Sequence, residues 1–440
     1  MDNRSRTFPT GFLWGVSTSA HQVEGNNTNN QWAAWEAAGR IKSGERSGQA
    51  CNWWEAAERD FDLAQQMGLN ALRLSVEWSR IEPREGEWDH KSLDRYRAML
   101  QGLRTRGIRP IVSLHHFTNP LWLEKQGAFL NPRSIQLFER FVRQVVTSLH
   151  DLCDLWVTFN EPNVYVTLGY LLAEFPPGKR NLVSTIRVLT NIARAHARSY
   201  RAIHELQSHA QVGWTDNYLV FEPADRNSAL DRLAASVQHH LFNSSFARMI
   251  EKGSLVFPFN LIAGDLVEVK GSCDFVGLNV YNRAHVSFDL RCPALLFGRL
   301  FIPEGVPQGD HGANAPYGEA FPQGIALAAE NAARLGKPIY ILENGVPDAE
   351  DRIRPWVIGR AALELHELIE RGMDIRGYFH WSLVDNFEWS EGWRLRFGLF
   401  ALDLETQQRS PRKSAELYGS IARANGLRPD FSYDSGSQYL

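Results

Sequence analysis

The chain has 440 residues, 44% hydrophobic and 22% charged, which excludes a disordered or fibrous protein and leaves material for a large core. With 47 Lys+Arg against 50 Asp+Glu the formal net charge is -3, too balanced for the long-range field that gathers nucleic acid or an anionic membrane. No apolar run approaches the ~18 residues a membrane span needs, and the charged start Met1-Asp2-Asn3-Arg4-Ser5-Arg6 leads into a stretch broken by Gly11, Gly15, Ser17 and Thr18. The expectation is a cytoplasmic protein that binds neither nucleic acid nor membrane.

Along the chain, short β-like runs alternate with longer helical stretches. The runs fall at 12–16, 71–76, 108–114, 155–159, 211–214, 275–278, 338–342 and 375–381. Helices are predicted around 52–67, 92–106, 132–149, 184–208, 228–250, 323–335, 356–372 and 411–425. Asn131-Pro132 and Ser410-Pro411 read as helix starts, a capping side chain followed by Pro in the first turn. Within 134–149, Leu137, Phe138, Phe141, Val145 and Leu149 recur at helical spacing and define one apolar face. Eight such units predict an α/β protein with a closed (β/α)₈ barrel of the TIM type rather than an open sheet, as one domain over 1–440. The Asn-rich 26–30 and the Gly- and Pro-rich 283–318 are predicted as loops, the second lying over one end of the barrel.

The four cysteines (Cys51, Cys153, Cys273 and Cys292) are too scattered for a disulfide framework or a C-x-x-C metal site and read as small core side chains. Gly39 and Gly44 have phosphate-loop spacing, but Glu45 and Arg46 follow where Lys and Ser/Thr are required. His204 and His209 are five residues apart, which places them on different faces of a helix, where one zinc ion does not reach both. His115 and His116, adjacent on a strand, point to opposite sides. Neither a nucleophile elbow nor a dinucleotide fingerprint is present. Metal, nucleotide and serine-hydrolase chemistry therefore have little to stand on.

Two strand ends stand out. Trp156-Val157-Thr158-Phe159-Asn160-Glu161-Pro162 is an apolar run ending in Asn and Glu, and Ile339-Tyr340-Ile341-Leu342-Glu343-Asn344-Gly345 repeats the design. As the fourth and seventh barrel strands, they would bring both glutamates to the C-terminal mouth, where barrel enzymes do their chemistry. The 14 tryptophans, with Trp389 and Trp393 beside Glu388 and Glu391, suggest a ligand with flat apolar faces and polar rims. Two carboxyls across such a mouth suit glycoside hydrolysis, one donating a proton and the other attacking the anomeric carbon.

The sequence resembles glycoside hydrolase family 1, the β-glucosidase family. The resemblance rests on Phe8-Pro9-Thr10-Gly11-Phe12-Leu13-Trp14-Gly15 with Gln22-Val23-Glu24-Gly25, and on Arg73 through Pro83. It continues in Asn160-Glu161-Pro162, Gly277-Leu278-Asn279-Val280-Tyr281, Glu343-Asn344-Gly345, and the block from Trp381 to Gly398. It implies a retaining exo-β-glycosidase of β-glucosides that uses no metal or organic cofactor, with β-galactosides and β-fucosides as further substrates. Glu161 matches the family's acid/base and Glu343 its nucleophile. Arg73, Asn279 and Tyr281 match groups around the nucleophile, Arg73 and Tyr281 being expected to lower its pKa. Gln22, His116, Asn160, Glu388 and Trp389 match sugar-hydroxyl ligands and Trp381 the platform beneath the ring. The pair Glu388-Trp389 implies an unphosphorylated sugar, since a carboxylate there repels phosphate.

The implied partner is a β-linked oligosaccharide or an aryl or alkyl β-glycoside. Transglycosylation at the same site and sugar binding without useful turnover are the alternatives. Three positions depart from the family pattern: Leu342 where Thr is usual, Phe117 where Trp is commoner, and Gly318 in Tyr317-Gly318-Glu319, near where a Trp often supports the leaving group.

Overall fold

The structure, a computed structural model, describes residues 6–310 and 318–428. Residues 1–5, Tyr317 and residues 429–440, included in the readings above, lie outside the described residues.

Eight parallel strands form the barrel: β1 (Leu13–Ser17), β2 (Ala71–Ser75), β3 (Arg109–Ser113), β4 (Leu155–Asn160), β5 (Gln211–Pro223), β6 (Phe275–Phe288), β7 (Ile339–Asn344) and β8 (Ile375–His380). Each pairs with the next, and β8 closes on β1 through Gly377↔Leu13, Tyr378↔Trp14, Phe379↔Gly15 and His380↔Val16. The helices α1 (Glu58–Gln66), α2 (His90–Thr105), α3 (Arg133–Leu149), α4 (Leu182–Leu206), α5 (Ala229–Asn243), α6 (Gly324–Ala333), α7 (Arg354–Glu370) and α8 (Lys413–Ala424) follow the strands in turn. The expected α/β class and (β/α)₈ barrel are what the chain forms.

The largest core cluster lies between strands and helices. There α3 buries Leu137, Phe138, Phe141, Val145 and Leu149, the face its spacing predicts, and Asn131 caps the helix by accepting from the Arg133 N–H at 3.0 Å. A second cluster fills the barrel itself with Leu13, Ala71, Ile111, Leu155, Val157, Phe275, Tyr340, Leu342 and Phe379. Leu342, the departure from the family's Thr, is thus a barrel-filling side chain.

Two expectations need correction. The region 283–318 is not simply a loop: β5 and β6 continue past the barrel as paired strands, Val220↔Arg283 through Pro223↔Val286, and β6 then pairs antiparallel with the strand Gly298–Phe301. Polar Asn279, Asn282 and Arg283 broke the apolar signal that would have extended the run beyond residue 278. Nor do Ser410 and Pro411 start a helix. They pair with Phe400 and Ala401 in a short antiparallel ribbon, and α8 begins at Lys413, with Asp351 accepting from the Ser414 N–H at 2.6 Å.

Large barrel-filling rings require small neighbours. A Cβ on Gly15 would lie 2.4 Å from the Phe379 ring and 2.7 Å from the Ala71 carbonyl oxygen. Gly15→Ala is therefore expected to destabilise the fold by about 1–3 kcal/mol, the usual cost of overpacking, and to lower the thermal unfolding midpoint measured by circular dichroism.

Candidate active site

Strict strand alternation would not aim the key side chains together. On β4, Thr158 bonds His196 of α4 and Phe159 packs on Phe138 of α3, so two successive residues face outward. The register shift between Val157 and Asn160 absorbs this and turns Asn160 inward. On β7 the shift between Ile341 and Glu343 brings Glu343 to the inward side that Leu342 already occupies. Irregular pairing of this kind re-aims side chains and recurs beside active sites. Glu161 follows β4 in the left-handed region (φ 47°), its N–H donating to the Thr215 carbonyl at 2.7 Å and Pro162 opening the next helix.

The carboxyls have contrasting partners. Glu343 accepts from Arg73 Nη1 at 2.5 Å and from the Tyr281 hydroxyl at 2.6 Å. Glu161 accepts only from neutral amides, Asn279 Nδ2 at 2.7 Å and Asn217 Nδ2 at 3.0 Å. Asn279 lies opposite Glu343 in the β6–β7 register and so stands beside both. Arg73, fully buried on β2, also donates from Nε to Ser113 Oγ (2.8 Å) and from Nη2 to Asn160 Oδ1 (2.6 Å). Asn160 is thereby oriented with its Nδ2 toward His116 Nε2 at 3.0 Å. The His116 proton then sits on Nδ1, which is buried without a partner. Burial, Arg73 and His115 hold the His116 pKa well below its usual value, so the ring is neutral.

Burial and the charge of Glu343 push the Glu161 pKa up to about 8, against the pull of the two amides and Arg73. Burial also raises Glu343, opposed by Arg73 and Tyr281. The net lowering expected for Glu343 is thus not met: a guanidinium and a hydroxyl offset desolvation without overcoming it. Glu161, lacking a cation in direct contact, is the carboxyl that holds a proton at neutral pH, while the charge of Glu343 is the one answered by Arg73.

These groups open onto a cavity of about 560 Å³, lined at this end by His116, Asn160, Glu161, Tyr281, Glu343, Trp381, Glu388 and Trp389. The His116 ring lies nearly parallel to Trp381 and Trp389, with centroids 6.0 and 5.9 Å away. Gln22 stands behind the wall, fully buried, donating to the Phe387 carbonyl at 2.8 Å and to Glu388 at 3.3 Å. Phe117 lines the cavity with its ring edge-on to Trp389. Gly318 has φ +58°, and a Cβ there would meet the Arg283 carbonyl oxygen at 2.5 Å, so no side chain can project from that position.

Other singled-out residues lie elsewhere. Trp393 packs on Phe387, His115 turns into the core beside Phe159, and His204 pairs with Asp274 at 2.9 Å. All four cysteines are free, three of them buried. Among the described residues no group of three or more His, Cys, Asp or Glu side chains is placed to hold a metal, and no helix is long and apolar enough to cross a membrane. Asn217 escaped sequence reasoning because β5 was read as ending at Trp214; the alternation of Gly213, Thr215 and Asn217 on one face was the available signal.

A closed parallel barrel with two buried carboxyls at strand ends, one beside a guanidinium and one beside amides, defines a barrel enzyme of the glycoside-hydrolase kind. The profile of glycosyl hydrolase family 1 matches residues 4–427, and the chain belongs to that family. It is 30% identical to the β-galactosidase of Pyrococcus woesei, covering 96% of this chain and 98% of that protein. It is also 30% identical to β-glucosidase A of Thermotoga maritima, covering 96% and 99%. The solved β-glycosidase from Pyrococcus horikoshii is similar with a TM-score of 0.90 at 37% identity, over 99% of this chain and 100% of that one.

The electrostatics carry a sign that titration can read. Replacing Asn217 with Ala removes a donor to the ionised Glu161 and is expected to raise its pKa further; Glu343→Gln removes the repelling charge and is expected to lower it. Carbon-13 NMR titration of the Glu161 carboxyl measures both shifts.

Proposed function

We propose that the protein is a retaining exo-β-glycosidase acting on unphosphorylated β-glucosides, with β-galactosides accepted at the same site, and that its barrel is a single catalytic domain. The observation that carries this reading is the contrast between the partners of Glu343 and Glu161. In the first step Glu161 gives its proton to the glycosidic oxygen as the bond to the anomeric carbon breaks, and the aglycone leaves as an alcohol. A Glu343 oxygen attacks the same carbon from the opposite face and forms a glycosyl ester. Esterification removes the negative charge that held the Glu161 pKa up, so Glu161, now ionised, becomes a better-matched base. It takes a proton from water, the water oxygen displaces Glu343, and the sugar departs with its configuration retained.

The other roles follow from position. His116 and Asn160 line the sugar end of the cavity as ligands for its hydroxyls, and Trp381 and Trp389 supply flat apolar faces. Glu388, buried in the cavity wall, accepts hydroxyl protons and opposes a phosphate group. Gln22 holds the Glu388 segment from behind. Arg73, Asn279 and Tyr281 position Glu343 and balance its charge. We further propose a cytoplasmic location, which the four free cysteines support.

Glu343→Gln is expected to abolish both turnover and covalent labelling by a 2-fluoro glycoside, read by intact-protein mass spectrometry; persistent labelling removes Glu343 from the nucleophile role. Glu161→Ala is expected to lower kcat/KM about 10²–10⁴-fold on alkyl glycosides and far less on activated aryl ones, with partial recovery by azide. An equal loss on both classes removes the acid role. Because the acid must be protonated, kcat/KM is expected to fall as pH rises through about 8, and to fall at low pH as Glu343 becomes protonated.

A further inference from the structure

Trp389 carries one flat wall of the sugar end, and its backbone is not relaxed. Its φ is +47°, in the left-handed region that a bulky side chain rarely adopts. Such a conformation persists only where the surroundings fix it. The fixing groups come from His21 and from the segment 41–47, two parts of the chain that the glycosidase chemistry leaves unused.

Within the single helical turn Ala20–Val23, Gln22 reaches Glu388 and its neighbour His21 lies against the indole of Trp389. The two rings are 14° from parallel with centroids 5.8 Å apart. His21 is buried and does not line the cavity, so it is not a ligand for the sugar. Its orientation is set at both nitrogens. Asn30 caps the short helix Gln31–Ala37 by accepting from the Ala33 N–H at 2.8 Å, which turns its Nδ2 toward His21 Nδ1 at 3.1 Å. Nδ1 is therefore the acceptor, and Nε2 carries the proton that it donates to Glu36 Oε1 at 2.8 Å. Glu36, buried on the same short helix, also accepts from the Ser47 N–H at 2.8 Å. Burial raises its pKa, but the bonds from His21 and Ser47 outweigh that and leave the carboxyl below its usual value.

Glu36 thus joins the ring beside Trp389 to the segment 41–47, and that segment grips the loop carrying Trp389. Lys42 donates its N–H to the Ser390 carbonyl at 2.8 Å and its Nζ to the buried Glu391 at 2.5 Å. Glu45 accepts from the Trp393 N–H at 2.8 Å, and the Arg46 carbonyl accepts from the Trp393 indole at 3.0 Å. The approach is so close that a Cβ on Gly392 would stand 2.1 Å from Ser43 Oγ. Trp389 is therefore held at its ring by His21 and at its chain by 41–47, and Glu36 is bonded to both.

We propose that His21 and Glu36 are positioning residues for the glycosidase reaction, which together with the segment 41–47 fix the Trp389 face against which the sugar ring lies. The part played in the reaction rests on the glycosidase reading above; the hold on Trp389 rests on these contacts alone. Neither residue touches the substrate. A face presented equally to the bound sugar and to the transition state contributes to KM and leaves kcat nearly unchanged.

The experiment measures hydrolysis of 4-nitrophenyl β-D-glucoside by His21→Ala, Glu36→Gln and Lys42→Met. It is paired with the fluorine-19 NMR line of Trp389 in protein made with 5-fluorotryptophan, identified by its loss in Trp389→Phe. KM is expected to rise about three- to tenfold in His21→Ala and Glu36→Gln and about twofold in Lys42→Met, with kcat changed by less than about twofold. The Trp389 line is expected to shift or broaden in all three. Lys42 is half-exposed, and Glu391 keeps Arg394 as its partner, so folding is not at stake in that variant. Leu149→Ala, a core truncation on α3, lowers stability away from these contacts and is expected to leave both KM and the Trp389 line unchanged. Wild-type KM with an unmoved Trp389 line in all three variants overturns the positioning role. A loss carried by kcat alone, or an equal rise of KM in Leu149→Ala, overturns it as well. If the wild-type protein cleaves no glycoside, the glycosidase reading falls, and the Trp389 line in the variants judges the hold on the indole by itself.

Discussion

Arg73 carries its charge fully buried inside the barrel, and the surrounding polar groups are arranged to answer it. A guanidinium withdrawn from water is tolerated only where a counter-charge and hydrogen-bond acceptors surround it, and breaking such a pair typically costs about 3–5 kcal/mol. Glu343 supplies the charge, while Ser113 and Asn160 accept from Nε and Nη2. That single demand orients Asn160, and Asn160 in turn settles which nitrogen of His116 is protonated. It also leaves Glu161 without a cation in direct contact, so burial and the neighbouring carboxylate dominate its titration. One buried charge thereby sorts two chemically identical side chains into different protonation states.

The barrel supplies the geometry by departing from its own regularity. In a perfectly alternating β7, Glu343 and Leu342 would face opposite sides; the register shift lets one fill the barrel while the next joins Arg73. On β4, two outward residues allow Thr158 to reach α4 and Phe159 to reach α3 before Asn160 turns in. Both shifts lie at the strand ends that feed the mouth. The lower barrel, packed with Phe275, Phe379 and Tyr340, remains a filled core against which these ends are held.

Above the mouth, the continuation of β5 and β6 does two different things. At its base Asn217 and Asn279 serve Glu161, and further out Leu219 and Phe221 contribute to the apolar wall. Polar and apolar ends of one cavity are thus built from successive parts of the same strand pair.

Much of this was legible along the chain. Eight buried-type runs alternating with helical stretches are a local pattern, because a parallel strand covered on both faces must be apolar throughout, and the helical face at Leu137, Phe138 and Phe141 is local in the same sense. The pairing of Glu161 with Asn160, and of Glu343 with Asn344, at the ends of two such runs marked the candidate carboxyls by position alone. What the linear chain does not contain is distance and direction. Asn217 was hidden because polar residues that line a site look like the end of a strand, and the extension over 283–288 was hidden for the same reason. The inward turn of Glu343 depends on a register shift against β6, and the Glu161 pKa depends on burial and on a charge 182 residues away in sequence, from 161 to 343. Desolvation and Coulomb interaction act through space, so only the closed barrel decides which carboxyl keeps its proton.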